Sequence, residues 1–183
     1  MKRFLLVISV VFSIIPLSAQ SADAILSNIG TKASQNISKS FVEVRKPASG
    51  KETKLDGTLV FKTEGYLSMD YSNGELFVID GNKMTVKRAD KTQVFDTSKN
   101  LMMQGLSHML IYSFQGKVKE LAEEQGTELA AFQDGDQYVV TLTAVKKSAR
   151  GYSKAIFRYD ARSCAIKSMV LTEFSGKVTT YTL

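Results

Sequence analysis

The chain has 183 residues with one cysteine and one histidine, which excludes an internal disulfide and a metal site built from the usual His and Cys ligands. Its formal charge of +6 comes from 24 basic against 18 acidic residues. The basic residues are scattered, in pairs at most (Arg45-Lys46, Lys87-Arg88, Lys146-Lys147), so no basic tract marks a nucleic-acid partner.

Met1-Lys2-Arg3 is a short basic start. An apolar run from Phe4 to Leu17 follows, interrupted only by Ser9, Ser13 and Pro16, and then the small residues Ser18 and Ala19. This is the three-part layout of a secretory signal peptide, with cleavage expected after Ala19. A membrane-spanning helix wants roughly 20 apolar residues, more than this run supplies, and no later run approaches that length. Residues 1–19 are therefore expected as a leader and 20–183 as a single soluble domain. Removing the leader takes away Lys2 and Arg3 and no acid, so the charge falls from +6 by two, to +4. The remaining length is enough for a fold held by an apolar core.

Residues 22–39 place Ile25, Ile29, Ala33 and Ile37 four apart, with Leu26 beside them, the pattern of an amphipathic helix. From Phe41 the period changes to two. FVEVRK reads as a strand, and Leu55 to Met84 reads as further strands separated by Thr63-Glu64-Gly65, Ser72-Asn73-Gly74 and Asp80-Gly81-Asn82. Such short turns require antiparallel neighbours. Gln93-Val94-Phe95 begins another strand. Leu101, Met102, Met103, Leu106, Met109, Leu110, Ile111 and Phe114 then cluster at helical spacing, and Val118 to Gln125 forms a second, charged helical piece. Strands resume at Gln137–Val145, Lys154–Tyr159, Ile166–Phe174 and Val178–Leu183. A sheet with one apolar face needs a cover, and the two helical regions are the candidates.

The chain lacks the residues of a recognisable enzyme: no Gly-rich phosphate loop, no Ser nucleophile on an elbow, and a lone His108 among apolar residues. Asp56, Glu64 and Asp70 fall on the polar face of the strands, where carboxylates are solvated. Cys164 reads as a structural thiol. No catalytic residue, metal or cofactor is expected. Six methionines besides the initiator, three of them in the 101–111 segment, supply adaptable apolar surface.

In this order the elements resemble the LolA/LolB group, carriers of bacterial lipoproteins. The resemblance covers nearly all of residues 20–183. It rests on the N-terminal amphipathic helix, on Gly57, Leu59, Phe61 and Lys62 in G-x-L-x-F-K, and on Leu67, Met69 and Tyr71 in L-x-M-x-Y. The apolar-Asp-Gly turn at Val78 to Met84, the mid-chain helices and the final strands complete it. It implies an α+β fold: an incomplete, half-open antiparallel β-barrel whose helices form a lid over an apolar cavity. It also implies a monomeric periplasmic protein that binds acylated lipoproteins, receives them from an inner-membrane ABC transporter and passes them toward the outer membrane, to an acceptor the sequence does not name. The alternative is a periplasmic lipid-binding or sensor domain of the same fold without transfer activity. The groove residues would be Leu59, Phe61, Leu67, Met69, Tyr71, Phe77, Ile79 and Met84, with Leu76 and Val78 the alternative face of their strand. The lid residues would be Leu101, Met102, Leu106, Met109 and Leu110. One departure stands out. Typical periplasmic carriers place Arg-Pro after the strand ending here at Lys62, and that arginine hydrogen-bonds to the lid backbone; this chain has Thr63-Glu64.

Overall fold

The computed structural model describes residues 20–146 and 151–183; the expected leader at 1–19 lies outside them. The first helix, α1 (Ala22–Lys32), is capped by Ser21, whose hydroxyl accepts from the Ala24 N–H at 3.3 Å. Its stripe of Ile25, Leu26 and Ile29 is buried. The helix stops well short of residue 39. Asn36 instead accepts the Thr63 N–H through its side chain at 3.0 Å. Ile37 opens strand β1 (Ile37–Lys46), where it pairs with Phe61. Strand pairing overrides the local four-residue spacing, as a β-branched residue permits.

Strands β2 (Thr53–Lys62), β3 (Tyr66–Tyr71), β4 (Leu76–Asp80), β5 (Lys83–Arg88) and β6 (Lys91–Asp96) follow as a meander. After a single 3-10 turn come α2 (Leu101–Gln115) and α3 (Val118–Gln125). Asn100 caps α2 through its side-chain oxygen, 3.2 Å from both the Met102 and the Met103 N–H. The return is β7 (Thr127–Asp134), β8 (Gln137–Ala144), β9 (Tyr152–Asp160), β10 (Ile166–Glu173) and β11 (Val178–Thr182). Strand β7 was not legible in the sequence. TELAAFQD is built largely of residues with weak strand preference, and its pairing with β8 along its whole length supplies what propensity does not.

All the pairings are antiparallel, and the eleven strands lie in the order β6-β5-β4-β3-β2-β1-β11-β10-β9-β8-β7. The sheet does not close: β6 and β7 are its two edges. The chain therefore starts mid-sheet and meanders to one edge. It crosses to the other edge through α2 and α3, then meanders back to lie beside its own first strand. This is a half-open antiparallel barrel with helices laid across its concave face. Leu59, Phe61, Leu67, Met69, Ile79 and Met84 from one half of the sheet share a core with Val140, Leu142, Phe157, Tyr159, Met169 and Leu171 from the other. The helical residues Ile29, Leu110, Phe114 and Leu121 belong to the same core. On β4, Phe77 and Ile79 face this core; Leu76 and Val78 are not part of it. Gly57 is required where β2 runs against β3, because a Cβ there would fall 2.2 Å from the Asp70 carbonyl oxygen. Among the described residues no helix is long and apolar enough to cross a membrane.

Candidate functional site

The geometry that matters is set along α2, whose two ends meet the sheet differently. At its C-terminal end the helix is locked. Phe114 stacks on Phe61 with ring centroids 5.0 Å apart. The Tyr159 hydroxyl donates to the Ser113 carbonyl at 2.8 Å, and the Ser113 hydroxyl donates to the Leu110 carbonyl at 2.8 Å. Gly116 closes the helix at φ 73°, and a Cβ there would lie 2.5 Å from the Ile29 carbonyl oxygen, so glycine lets α2 end against α1. At Thr63, where a typical carrier's arginine would reach the lid, the donor comes from the helix instead: Gln115 Nε2 donates to the Thr63 carbonyl at 2.9 Å.

The N-terminal end of α2 is loose. Leu101 is 84 % exposed and Met102 46 %. Beneath it lies a cavity of about 310 Å³ bounded by Met102, Met103, Leu106, Gly151, Tyr152, Glu173 and Ser175. A second cavity of about 130 Å³ continues toward the sheet, sharing Leu106 and Tyr152 with the first. Its apolar lining includes Phe77, Val86 and Leu110, and its polar lining includes Glu43, Arg45, Tyr71, Glu75 and Tyr181.

Four of these polar groups, Glu43, Arg45, Tyr71 and Glu75, form one network. Glu43 is buried, on the same face of β1 as Phe41. Its carboxylate accepts from Arg45 Nε at 2.7 Å, from Arg45 Nη2 at 2.9 Å and from the Tyr71 hydroxyl at 2.6 Å. This fork-like pairing supplies hydrogen bonds to both oxygens of a buried carboxylate. Arg45 also lies over the Tyr71 ring, 5.6 Å from its centroid, and Tyr71 meets Phe41 edge-on. Burial works against the Arg45 charge, but the hydrogen bond and the charge of Glu43 outweigh it and raise its pKa further. Burial first, then the Glu43 charge, pushes the Tyr71 and Tyr181 phenols well above their ordinary range. Burial, then Glu173, pushes Tyr152 up to about 12. All three phenols therefore remain protonated donors near neutral pH.

The sequence-predicted residues divide between these regions. Leu59, Phe61, Leu67, Met69, Ile79 and Met84 are fully buried in the core and line neither cavity. Tyr71 and Phe77 line the smaller cavity. On the helix, Leu106 lines both cavities, Leu110 the smaller and Met102 the larger, while Met109 is buried away from both. Leu101 projects to solvent and lines neither. Sequence reasoning missed Glu43, Arg45, Met103, Tyr152 and Tyr181. The alternation Phe41-x-Glu43-x-Arg45 was the available signal, since a period of two places both charges on the face of Phe41.

Outside this region, His108 Nδ1 lies 2.6 Å from Glu124 Oε1 and joins α2 to α3. Cys164 is buried, and burial pushes its thiol up. Among the described residues no three His, Cys, Asp or Glu side chains gather as a metal site.

No family model and no curated protein matches the chain. Solved structures similar to it include a LolA superfamily protein from Nitrosomonas europaea, at 10 % identity and TM-score 0.40, with 90 % of this chain and 91 % of that one covered. The lipoprotein LppX of Mycobacterium tuberculosis is 16 % identical with TM-score 0.43, over 88 % and 94 % of the two chains. LprF from Mycobacterium bovis is 11 % identical with TM-score 0.40, over 88 % and 90 %. These likenesses run nearly end to end and include the superfamily that the sequence resembles, but at such identities and scores they assign no ligand, partner or activity to this chain.

Proposed function

We propose that this protein is a non-enzymatic carrier of acyl chains, with α2 as the cover and the space beneath Met102, Met103 and Leu106 as the point of entry. One observation carries the reading: an apolar cavity lies under the exposed end of a helix whose other end is fixed. Each methylene taken from water contributes about 0.8 kcal/mol, so a chain entering this space binds without chemistry. Release follows when the Met-rich surface of α2 packs back on the same wall. In the fuller form of this reading the protein works in the periplasm as a monomer. It accepts acylated lipoproteins from an inner-membrane ABC transporter and hands them toward the outer membrane.

Native mass spectrometry of protein isolated from its own periplasm tests the reading. Co-purified lipid or acylated protein supports it; a clean apo mass with no uptake of a fluorescent acyl probe defeats it. Leu106→Glu gives the matching variant, since Leu106 is half-buried on the cavity wall. It is expected to fold and to lose probe uptake.

A second reading is a sensor or interaction domain with a permanently filled interior. The observation favouring it is the tight burial of Leu59, Phe61, Leu67 and Met69, where the interior is occupied by side chains. Robust binding of a partner protein by an apo, lipid-refractory chain is the outcome that would select it.

A further inference from the structure

We infer that the two adjacent cavities take a single-chain amphiphile with an anionic head, the head held between Arg45 and Arg88 and the chain lying under Met102, Met103 and Leu106. This rests on the acyl-chain reading above and names the class of molecule that the site selects.

The first ground is the composition of the wall. A site for hydrocarbon alone would be apolar throughout, because polar groups stripped of water without a new partner are costly. Here the smaller cavity presents a cluster of charged groups, whereas the larger one presents Met102, Met103 and Leu106 with Glu173 and Ser175 at its border. Such a two-part lining fits a molecule with one polar end.

The second ground is the sign of the charge. Taken together the two cavities are lined by four cations, Arg45, Lys87, Arg88 and Lys177, against three carboxylates, Glu43, Glu75 and Glu173, of which Glu173 pairs with Lys177 at 3.1 Å. Glu43 is fully engaged by Arg45 and Tyr71. Glu75 is shared: its Oε2 lies 3.4 Å from Arg45 Nη1 and 3.7 Å from Arg88 Nε, both long for charge-assisted contacts. Two guanidinium groups thus converge on one distant oxygen with donors to spare, since each carries five N–H groups. An entering carboxylate or phosphate takes up those donors better than Glu75 does.

The third ground is size. The larger cavity, about 310 Å³, stands at the lower end of the volumes that hold small ligands, roughly 300–1,000 Å³. That suits one chain, and the smaller cavity of about 130 Å³ suits a compact head.

The test compares one chain length with different heads. Dodecanoate and dodecyl phosphate are titrated alongside methyl dodecanoate and dodecyltrimethylammonium, below their micellar concentrations, by displacement of a fluorescent acyl probe. The anionic pair is expected to bind roughly tenfold more tightly than the neutral and cationic ones. Arg88→Gln lowers that preference. Glu75→Gln, which removes the carboxylate between the two guanidinium groups, raises it; a merely structural role for the cluster does not move affinity in opposite directions. Equal binding of all four heads overturns the inference and leaves the acyl-chain reading standing. An anionic preference indifferent to both variants overturns the assignment of the head to Arg45 and Arg88. No binding of any of them overturns both readings.

Discussion

The two ends of α2 differ in what they exclude. At the C-terminal end, aromatic stacking of Phe114 on Phe61, the Tyr159–Ser113 hydrogen bond and the Gly116 contact with α1 hold the helix against the sheet and α1. At the N-terminal end, Met102, Met103 and Leu106 cover a cavity that the sheet does not fill. The same helix is therefore both a part of the core and a removable cover. The difference lies in what faces each turn. Large side chains of β2, β9 and β10 meet the C-terminal turns, whereas Gly151 and Tyr152 at the end of β9 and the end of β10 border the N-terminal ones.

The largest expected effect breaks the comparison at its base. Leu67→Glu places a carboxylate at a fully buried core position, and the expected outcome is loss of the folded state, read by circular dichroism. Leu106→Glu, with the same chemistry at the loose end, keeps a native spectrum. If both variants behave alike, the two ends do not differ in the way proposed.

Phe114→Ala should cost about 3–5 kcal/mol in urea unfolding, because it opens a cavity beneath Phe61 at the locked end. Gln115→Ala removes the bond to Thr63 and should cost about 1 kcal/mol, since the bond is exposed. Its more telling readout is faster hydrogen exchange in the last turn of α2, with the first turn unchanged. Leu101→Ser, at an 84 % exposed position, should shift stability by no more than about 0.5 kcal/mol. A larger loss would mean that this end of the helix is packed after all.

Much of the fold was readable because its signals are local. The hairpins at Asn73-Gly74 and Asp80-Gly81 fix antiparallel neighbours, and the alternation through Leu59, Phe61, Leu67 and Met69 fixes which face is buried. The helix pair from Leu101 to Gln125 is marked by its spacing and by the glycines at 116 and 126. Less of the site was readable. Tyr71, Phe77, Met102, Leu106 and Leu110 do line the cavities, but apolar alternation cannot separate a wall that touches empty space from one that touches a side chain. Six of the eight groove candidates are buried and line neither cavity, and Leu101 is exposed.

By itself the sequence determined most of the strands, the two mid-chain helices, the antiparallel order of the hairpins and the buried face of β2 and β3. Periodicity and turn chemistry act between residues close in the chain, so one sequence suffices to read them. The tertiary structure alone decided that Ile37 leaves the helix to pair with Phe61, that Thr127–Asp134 becomes an edge strand, and that Glu43, Arg45 and Tyr71 meet inside the barrel. It also decided that the cavity under Met102, Met103 and Leu106 lies at the N-terminal end of α2. Those outcomes depend on residues far apart in sequence competing for the same contacts, and no local pattern records which of them wins.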